Sequence, residues 1–193
     1  GDVIDTASCT PNCTAPVVKI IDDAFGIKKA MLTTIHAYTA DQNIQDGPHK
    51  DLRRARAAAQ NIVPTTTGAA VATTKVLPQL AGKFDGIAVR VPTITVSLTD
   101  FVFLLEKDVT IEDVNNALKT AAADSHWQGV FTATEEPLVS SDFIGDPHSS
   151  IADLGMTRVV DGNLVKIVSW YDNEWGYANR LVEMAEIVGK TLF

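Results

Sequence analysis

The chain has 193 residues, 46% of them apolar, enough to bury one substantial core, so a single domain is the expected organisation. A formal net charge of −8 sets the whole-molecule field against nucleic acid and anionic membrane, so an anionic ligand has to be held by a local basic cluster. No apolar run approaches the roughly 18 to 20 residues that span a bilayer, the opening GDVIDTASCTPN lacks the basic start and apolar core of a leader, and the only 2 cysteines, Cys9 and Cys13, do not make a disulfide framework, so a reducing cytoplasm is expected.

In chain order, prolines near the start of CTPNCTAPVVKIIDDAF and Gly26 at its end bracket an apolar face of Val17, Ile20, Ile21 and Phe25, which predicts a helix opening at Cys9 and bent near Pro16. The β-branched run Lys29–Thr39 predicts a strand with His36 near its exit, followed by a polar loop and the basic LRRAR segment. Thr65–Leu80 suits a helix, Gly86–Val91 a strand, and Thr93–Glu106 one long strand or two paired ones. Thr110, with Asp113 three residues on, caps an amphipathic helix through Ala122. Asn163–Tyr171 reads as a strand, and Trp175–Phe193 as a helix with Leu181, Met184, Ala185 and Val188 at helical spacing. Strands that follow one another with few crossover helices predict an α+β fold, a mixed or antiparallel sheet covered by helices. No G-x-G-x-x-G follows a strand, so a dinucleotide would find no Rossmann cradle in this chain.

A thiol attacks as its thiolate, which a helix N-terminus and a neighbouring imidazole both favour. Cys9 has the first by sequence; its nearness to His36 does not follow from spacing. The competing reading is that Cys9 and Cys13 are small buried hydrophobes and His36 a satisfied strand histidine, and for Cys13 that reading is preferred. A zinc site of Cys9, Cys13 and His36 lacks a fourth ligand, so no metal is expected.

ASCTPNCTAP resembles the catalytic signature of the glyceraldehyde-3-phosphate dehydrogenase family, with Cys9 on its nucleophile. TIHAYTADQ, DLRRARAAAQNIVPTTTGAA, AVRVPT and SWYDNEWGYANR resemble further family segments in family order, so the resemblance covers essentially the whole chain. It implies a C-terminal catalytic domain over residues 1–193, with the NAD-binding Rossmann domain of the family absent from this chain, and hence little or no dehydrogenase turnover from this chain alone. It also implies that Cys9 attacks the aldehyde of glyceraldehyde 3-phosphate, that His36 takes the thiol proton, and that inorganic phosphate releases a Cys9 thioester as an acyl phosphate after hydride has passed to NAD.

The resemblance further assigns Thr39 and Arg90 to the substrate's phosphate, and Ser8, Thr10, Thr67, Gly68 and Arg54 to inorganic phosphate. Asn173 falls on the residue that bonds the nicotinamide carboxamide, with Tyr177 packed nearby, and a homotetramer of the full-length enzyme is implied. Taken singly, these side chains have ordinary readings: Ser8, Thr10 and Thr67 as helix caps, Arg53, Arg54 and Arg56 as a solvated basic turn, Arg90 as a partner for any carboxylate. The chain departs from the family pattern at Pro11, Thr14 and Val71; Pro11 is tolerable in a first helical turn at the loss of a hydroxyl. DPHSSIADLGMTRV also resembles erythrose-4-phosphate dehydrogenase, which keeps a longer aldose phosphate open as substrate. A cysteine hydrolase and a non-catalytic assembly module are the readings from other classes.

Overall fold

The computed structural model describes residues 4–192. A helix α1 (Cys9–Phe25) opens it, continues through Pro16, and stops at Gly26, whose φ of 71° gives the left-handed cap that glycine adopts without strain. Strand β1 (Ile27–Ala37) follows, then the long polar loop and a short β2 (Val63–Thr66). This β2 differs from the helix expected over Thr65–Leu80: Pro64 and three consecutive threonines favour an extended edge strand, so α2 (Ala69–Val76) begins only after Gly68 and gives way to a single 3-10 turn at Pro78.

Strands β3 (Phe84–Val91) and β4 (Ser97–Leu105) are next, and β4 starts late because Val96 sits at a positive φ of 69°. Helix α3 (Ile111–Ala123) carries the expected capping box: Thr110 Oγ1 accepts from the Asp113 amide, and an Asp113 carboxylate oxygen accepts from the Thr110 amide. Strands β5 (Phe131–Thr134) and β6 (Ser150–Val160) were not signalled by the sequence; β7 (Leu164–Tyr171) and α4 (Trp175–Leu192) were. Phe193, the expected end of the last helix, lies outside the described residues.

The described strands form one 7-stranded sheet in the order β2-β3-β1-β4-β7-β6-β5. Pairs β1/β3 and β5/β6 run parallel and the rest antiparallel, the mixed α+β arrangement expected. Along β4 the side chains of Ser97, Thr99, Phe101, Phe103 and Leu105 are buried in strict alternation. Their face, with Leu32 and Ile167 of the neighbouring strands and Ala69 and Ala70 of α2 in the same core, packs on α1 and α3 through Val17, Val18, Ile21, Val114 and Leu118, all essentially inaccessible. Each such side chain contributes about 1.5–3 kcal/mol by leaving water. Phe101 and Phe103 stack with centroids 5.6 Å apart at the centre. Gly86 lets β3 close on β1: a Cβ there would lie 2.4 Å from the Leu32 carbonyl oxygen.

The composition of that buried face changes along the strands. Register pairs Leu32 with Phe101 and Phe101 with Ile167, but two residues further it pairs Thr34 with Thr99 and Thr99 with Ser169, and then Ser97 with Tyr171. An apolar core thus turns into a layer of buried hydroxyls beneath the N-terminus of α1. The opposite sheet face leaves Met31 and Ile87 exposed beside the Lys166–Asp100 ion pair. Helix α4 forms as expected, but Leu181, Val182 and Ile187 stay about half exposed, so its apolar stripe is not buried by the described residues.

Candidate active site

Cys9 is the first residue of α1, with Ser8 at the N-cap position. His36 stands near the exit of β1, on the helix-facing side, and is 3% exposed. The sheet therefore lifts the imidazole to the start of the helix, and Cys9 Sγ lies 3.4 Å from His36 Nε2. The other ring nitrogen, Nδ1, is 2.7 Å from the Ala37 carbonyl oxygen. A carbonyl can only accept, so the proton of the neutral ring sits on Nδ1, and Nε2 faces the thiol with its lone pair.

Burial dominates the proton affinities of the pair. It pushes the His36 imidazole down to about 4, against a smaller opposing effect of the Ala37 carbonyl and assisted by the positive fields of Arg90 and Arg54. It also pushes the Cys9 thiol up, against hydrogen bonds from Thr10 and the charge of Arg90. The helix-start position is as expected; desolvation opposes the thiolate that the helix terminus and Arg90 favour, and it opposes the imidazolium as well. The geometry places Nε2 to accept a proton from the Cys9 sulfur.

Beneath the pair sits Tyr171, fully buried, which sequence reasoning did not single out. Its hydroxyl is 2.9 Å from Thr10 Oγ1 on α1 and 2.8 Å from Thr34 Oγ1 on β1, and its ring meets His36 edge-on with centroids 6.0 Å apart. A buried aromatic with a polar tip directly before DNEW was the available signal. Cys13, one turn into the helix, is fully buried; burial pushes its thiol up to about 12, and its Sγ lies 3.7 Å from Ser150 Oγ. The packing role expected for it agrees with that position. Among the described residues no group of His, Cys, Asp and Glu is placed to hold a metal ion.

Arg90 reaches the site through the parallel pairing of β1 and β3, which sets it directly beside His36. Its Nη1 donates to Thr39 Oγ1 at 2.7 Å and to Gln42 Oε1 at 3.2 Å. Thr39 and Arg90 are thus brought together, half-buried, next to the thiol–imidazole pair.

The second expected anion set is arranged differently. The Arg54 guanidinium pairs with Asp41, donates from Nε to Thr65 Oγ1 at 2.9 Å and from Nη2 to the Thr66 carbonyl at 3.3 Å, and lies 3.6 Å from Asp51. Arg53, the other arginine of that turn, is exposed. Thr67 Oγ1 accepts from the Ala69 amide at 3.2 Å, Gly68 is the N-cap of α2, and the Thr10 hydroxyl lies 2.9 Å from the Tyr171 hydroxyl and 4.0 Å from Cys9 Sγ. Ser8 makes no side-chain capping bond and is exposed. These residues surround the start of α1 and α2 without forming one closed hydrogen-bonded cluster.

Near the end of β7, Asp172 caps α4 by accepting from the amides of Glu174 and Trp175. Asn173 is buried; its Oδ1 accepts from Ser97 Oγ at 2.9 Å, which leaves its amide nitrogen as a donor. Tyr177, on the first turn of α4, donates to the Ala7 carbonyl at 3.3 Å and lies 3.0 Å from Thr6 Oγ1, tying α4 to the segment that enters α1.

The sequence profile of the glyceraldehyde 3-phosphate dehydrogenase C-terminal domain matches residues 8–173. A glyceraldehyde-3-phosphate dehydrogenase of Mycobacterium avium is 59% identical over 191 residues, 99% of this chain and 56% of the relative. One of Mycolicibacterium smegmatis is 58% identical over the same shares. Glyceraldehyde-3-phosphate dehydrogenase 2 of Streptomyces avermitilis is 59% identical, covering 99% of this chain and 57% of the relative. The chain spans about half the length of the curated relatives it matches.

Proposed function

Because the chain belongs to the glyceraldehyde 3-phosphate dehydrogenase family, whose C-terminal domain it carries, we propose that it supplies the catalytic half of an NAD-dependent, phosphorylating aldehyde dehydrogenase acting on glyceraldehyde 3-phosphate in glycolysis. The observation that carries this reading is the Cys9–His36 contact of 3.4 Å, with the imidazole tautomer fixed by the Ala37 carbonyl and the Thr39–Arg90 pair alongside.

In this reading Cys9 Sγ bonds to the aldehyde carbon while its proton moves to His36 Nε2. The imidazolium so formed keeps its Nδ1–H on the Ala37 carbonyl and turns its new N–H toward the oxygen that takes up the negative charge. Thr39 and Arg90 hold the substrate phosphate, converting a collision into an oriented approach. A bound NAD would supply the hydride acceptor for the oxidation that leaves the acyl group on Cys9 as a thioester. Asn173, with a free amide donor, would hold the nicotinamide carboxamide, with Tyr177 beside it; the pyrophosphate cradle lies in no motif of this chain. Inorganic phosphate then attacks the thioester and releases the acyl phosphate, with Ser8, Thr10, Thr67, Gly68 and Arg54 as its binding set. For that role Arg54 would have to exchange part of its pairing with Asp41 for the phosphate. We further propose a cytoplasmic homotetramer, supported by the apolar side chains left exposed on the outer face of the sheet.

Protection of Cys9 from alkylation tests the site without needing hydride transfer. Glyceraldehyde 3-phosphate, by forming the hemithioacetal, is expected to protect Cys9 more strongly than glyceraldehyde, and Arg90→Ala to erase the difference. Equal protection by the two aldehydes in the unmodified chain would remove Arg90 from phosphate binding.

A further inference from the structure

Most guanidiniums of this acidic chain that make side-chain contacts are matched by carboxylates: Arg54 by Asp41 and Asp51, Arg56 by Asp46, Arg180 by Glu183. Arg90 is not. Half-buried beside His36, it has only neutral acceptors, Thr39 Oγ1 and Gln42 Oε1. The Gln42 carboxamide is 5% exposed, and its Oε1 accepts twice, from Arg90 Nη1 and, at 3.3 Å, from the Thr39 amide. The Gln42 amide in turn donates to the Thr39 carbonyl at 3.0 Å, closing the turn that follows β1. The reverse orientation of the carboxamide would set its NH2 against two donors, so the network fixes which end faces Arg90. Around this junction donors outnumber acceptors: Arg90 Nε and Gln42 Nε2 are both buried without one. A half-buried cation with surplus donors is a place that lacks an anion.

Building on the proposed role of Arg90 in holding the substrate phosphate, we infer that Gln42 is the positioning residue of that site: it orients the guanidinium and Thr39 with a neutral acceptor, so that the arginine is held in place and still uncompensated. A carboxylate at this position would hold the same geometry and cancel the charge. The difference between glutamine and glutamate here is therefore the difference between a phosphate site and an internal ion pair.

The experiment compares how well glyceraldehyde 3-phosphate and unphosphorylated glyceraldehyde protect Cys9 from iodoacetamide in the unmodified chain, Gln42→Glu, Gln42→Met and Arg90→Ala, with urea denaturation of each. Gln42→Glu is expected to lower protection by the phosphorylated aldehyde about tenfold or more, the scale of one charge-assisted contact. With protection taken as the ratio of alkylation rates with and without aldehyde, so that a changed reactivity of Cys9 itself cancels, protection by glyceraldehyde should shift far less, and the denaturation midpoint should be equal or higher. Gln42→Met, which lacks the acceptor, is expected to weaken phosphate discrimination while lowering the midpoint. A purely structural role would move both aldehydes together. If Arg90→Ala abolishes phosphate discrimination and Gln42→Glu retains it in full, the inference about Gln42 is overturned while the reading of Arg90 stands. If Arg90→Ala itself has no effect, the underlying reading fails first.

Discussion

Replacing His36 by glutamine removes a buried imidazole whose proton affinity the fold lowers from an ordinary 6.5 to about 4, chiefly by desolvation. The unfolded chain then binds a proton at His36 between those two values that the folded chain refuses, so stability is complete above about pH 6.5 and falls as the pH drops toward 4. Each factor of ten in proton affinity is worth about 1.36 kcal/mol, so the full loss is on the order of 3 kcal/mol, a sizeable share of the roughly 5–15 kcal/mol that holds a domain together. Urea denaturation at intervals between pH 7.5 and 4.5 reads the effect as the difference in slope between the unmodified chain and His36→Gln. The carboxylates do not confound it. Asp41, held low by Arg54, Asp46, held low by the Ala57 amide, Asp51, held low by Thr65, and Asp113, held low by Thr110, begin to lose their contributions only from about pH 5 downward, and they are the same in both proteins, so they cancel in the comparison. Parallel stability curves for the two proteins across pH 6.5 to 4.5 would refute the argument, because they would mean that His36 protonates as readily folded as unfolded.

The two cysteines should separate cleanly: iodoacetamide is expected to modify Cys9 in the folded chain and to reach Cys13 only in urea, since Cys13 is fully buried and its thiol is pushed to about 12. Arg90→Ala should slow modification of Cys9 by removing a positive field that favours its thiolate, measurable by mass spectrometry of peptides against time. Gly86→Ala would force a methyl group to 2.4 Å from the Leu32 carbonyl oxygen and 2.6 Å from its Cγ, and is expected to cost about 2 kcal/mol or more in a denaturant titration.

What the sequence discloses follows from how local each feature is. The Thr110–Asp113 capping box, the span of α1 and its stop at Gly26 depend on neighbours within a turn or two, and they appear where the residues place them. Strand β2 was misread as helix because its partner, β3, lies far along the chain, and pairing with it decides the conformation of Thr65 and Thr66. Strands β5 and β6 went unseen: β5 is four residues, and β6 has SIAD buried without alternation, so no period of two marks it. In the site, motif resemblance identified Cys9, His36, Thr39 and Arg90, and the structure brings these four together. The resemblance does not show how far burial opposes the charged forms of the pair, because desolvation is a property of everything packed around Cys9 and His36, not of the residues beside them in sequence. Tyr171 and Gln42 escaped for the same reason: their importance lies in contacts across the fold.

The hydroxyl bond between Thr10 and Tyr171 joins residues separated by 161 positions. During synthesis Thr10, beside Cys9, is made 161 residues ahead of Tyr171, the final residue of the central strand β7. Until that strand docks, between β4 and β6, the thiol lacks the hydroxyl floor that Tyr171 builds with Thr10 and Thr34. The floor of the reactive site is in this sense a long-range product of folding, and a chain interrupted before β7 would carry Cys9 and His36 without it.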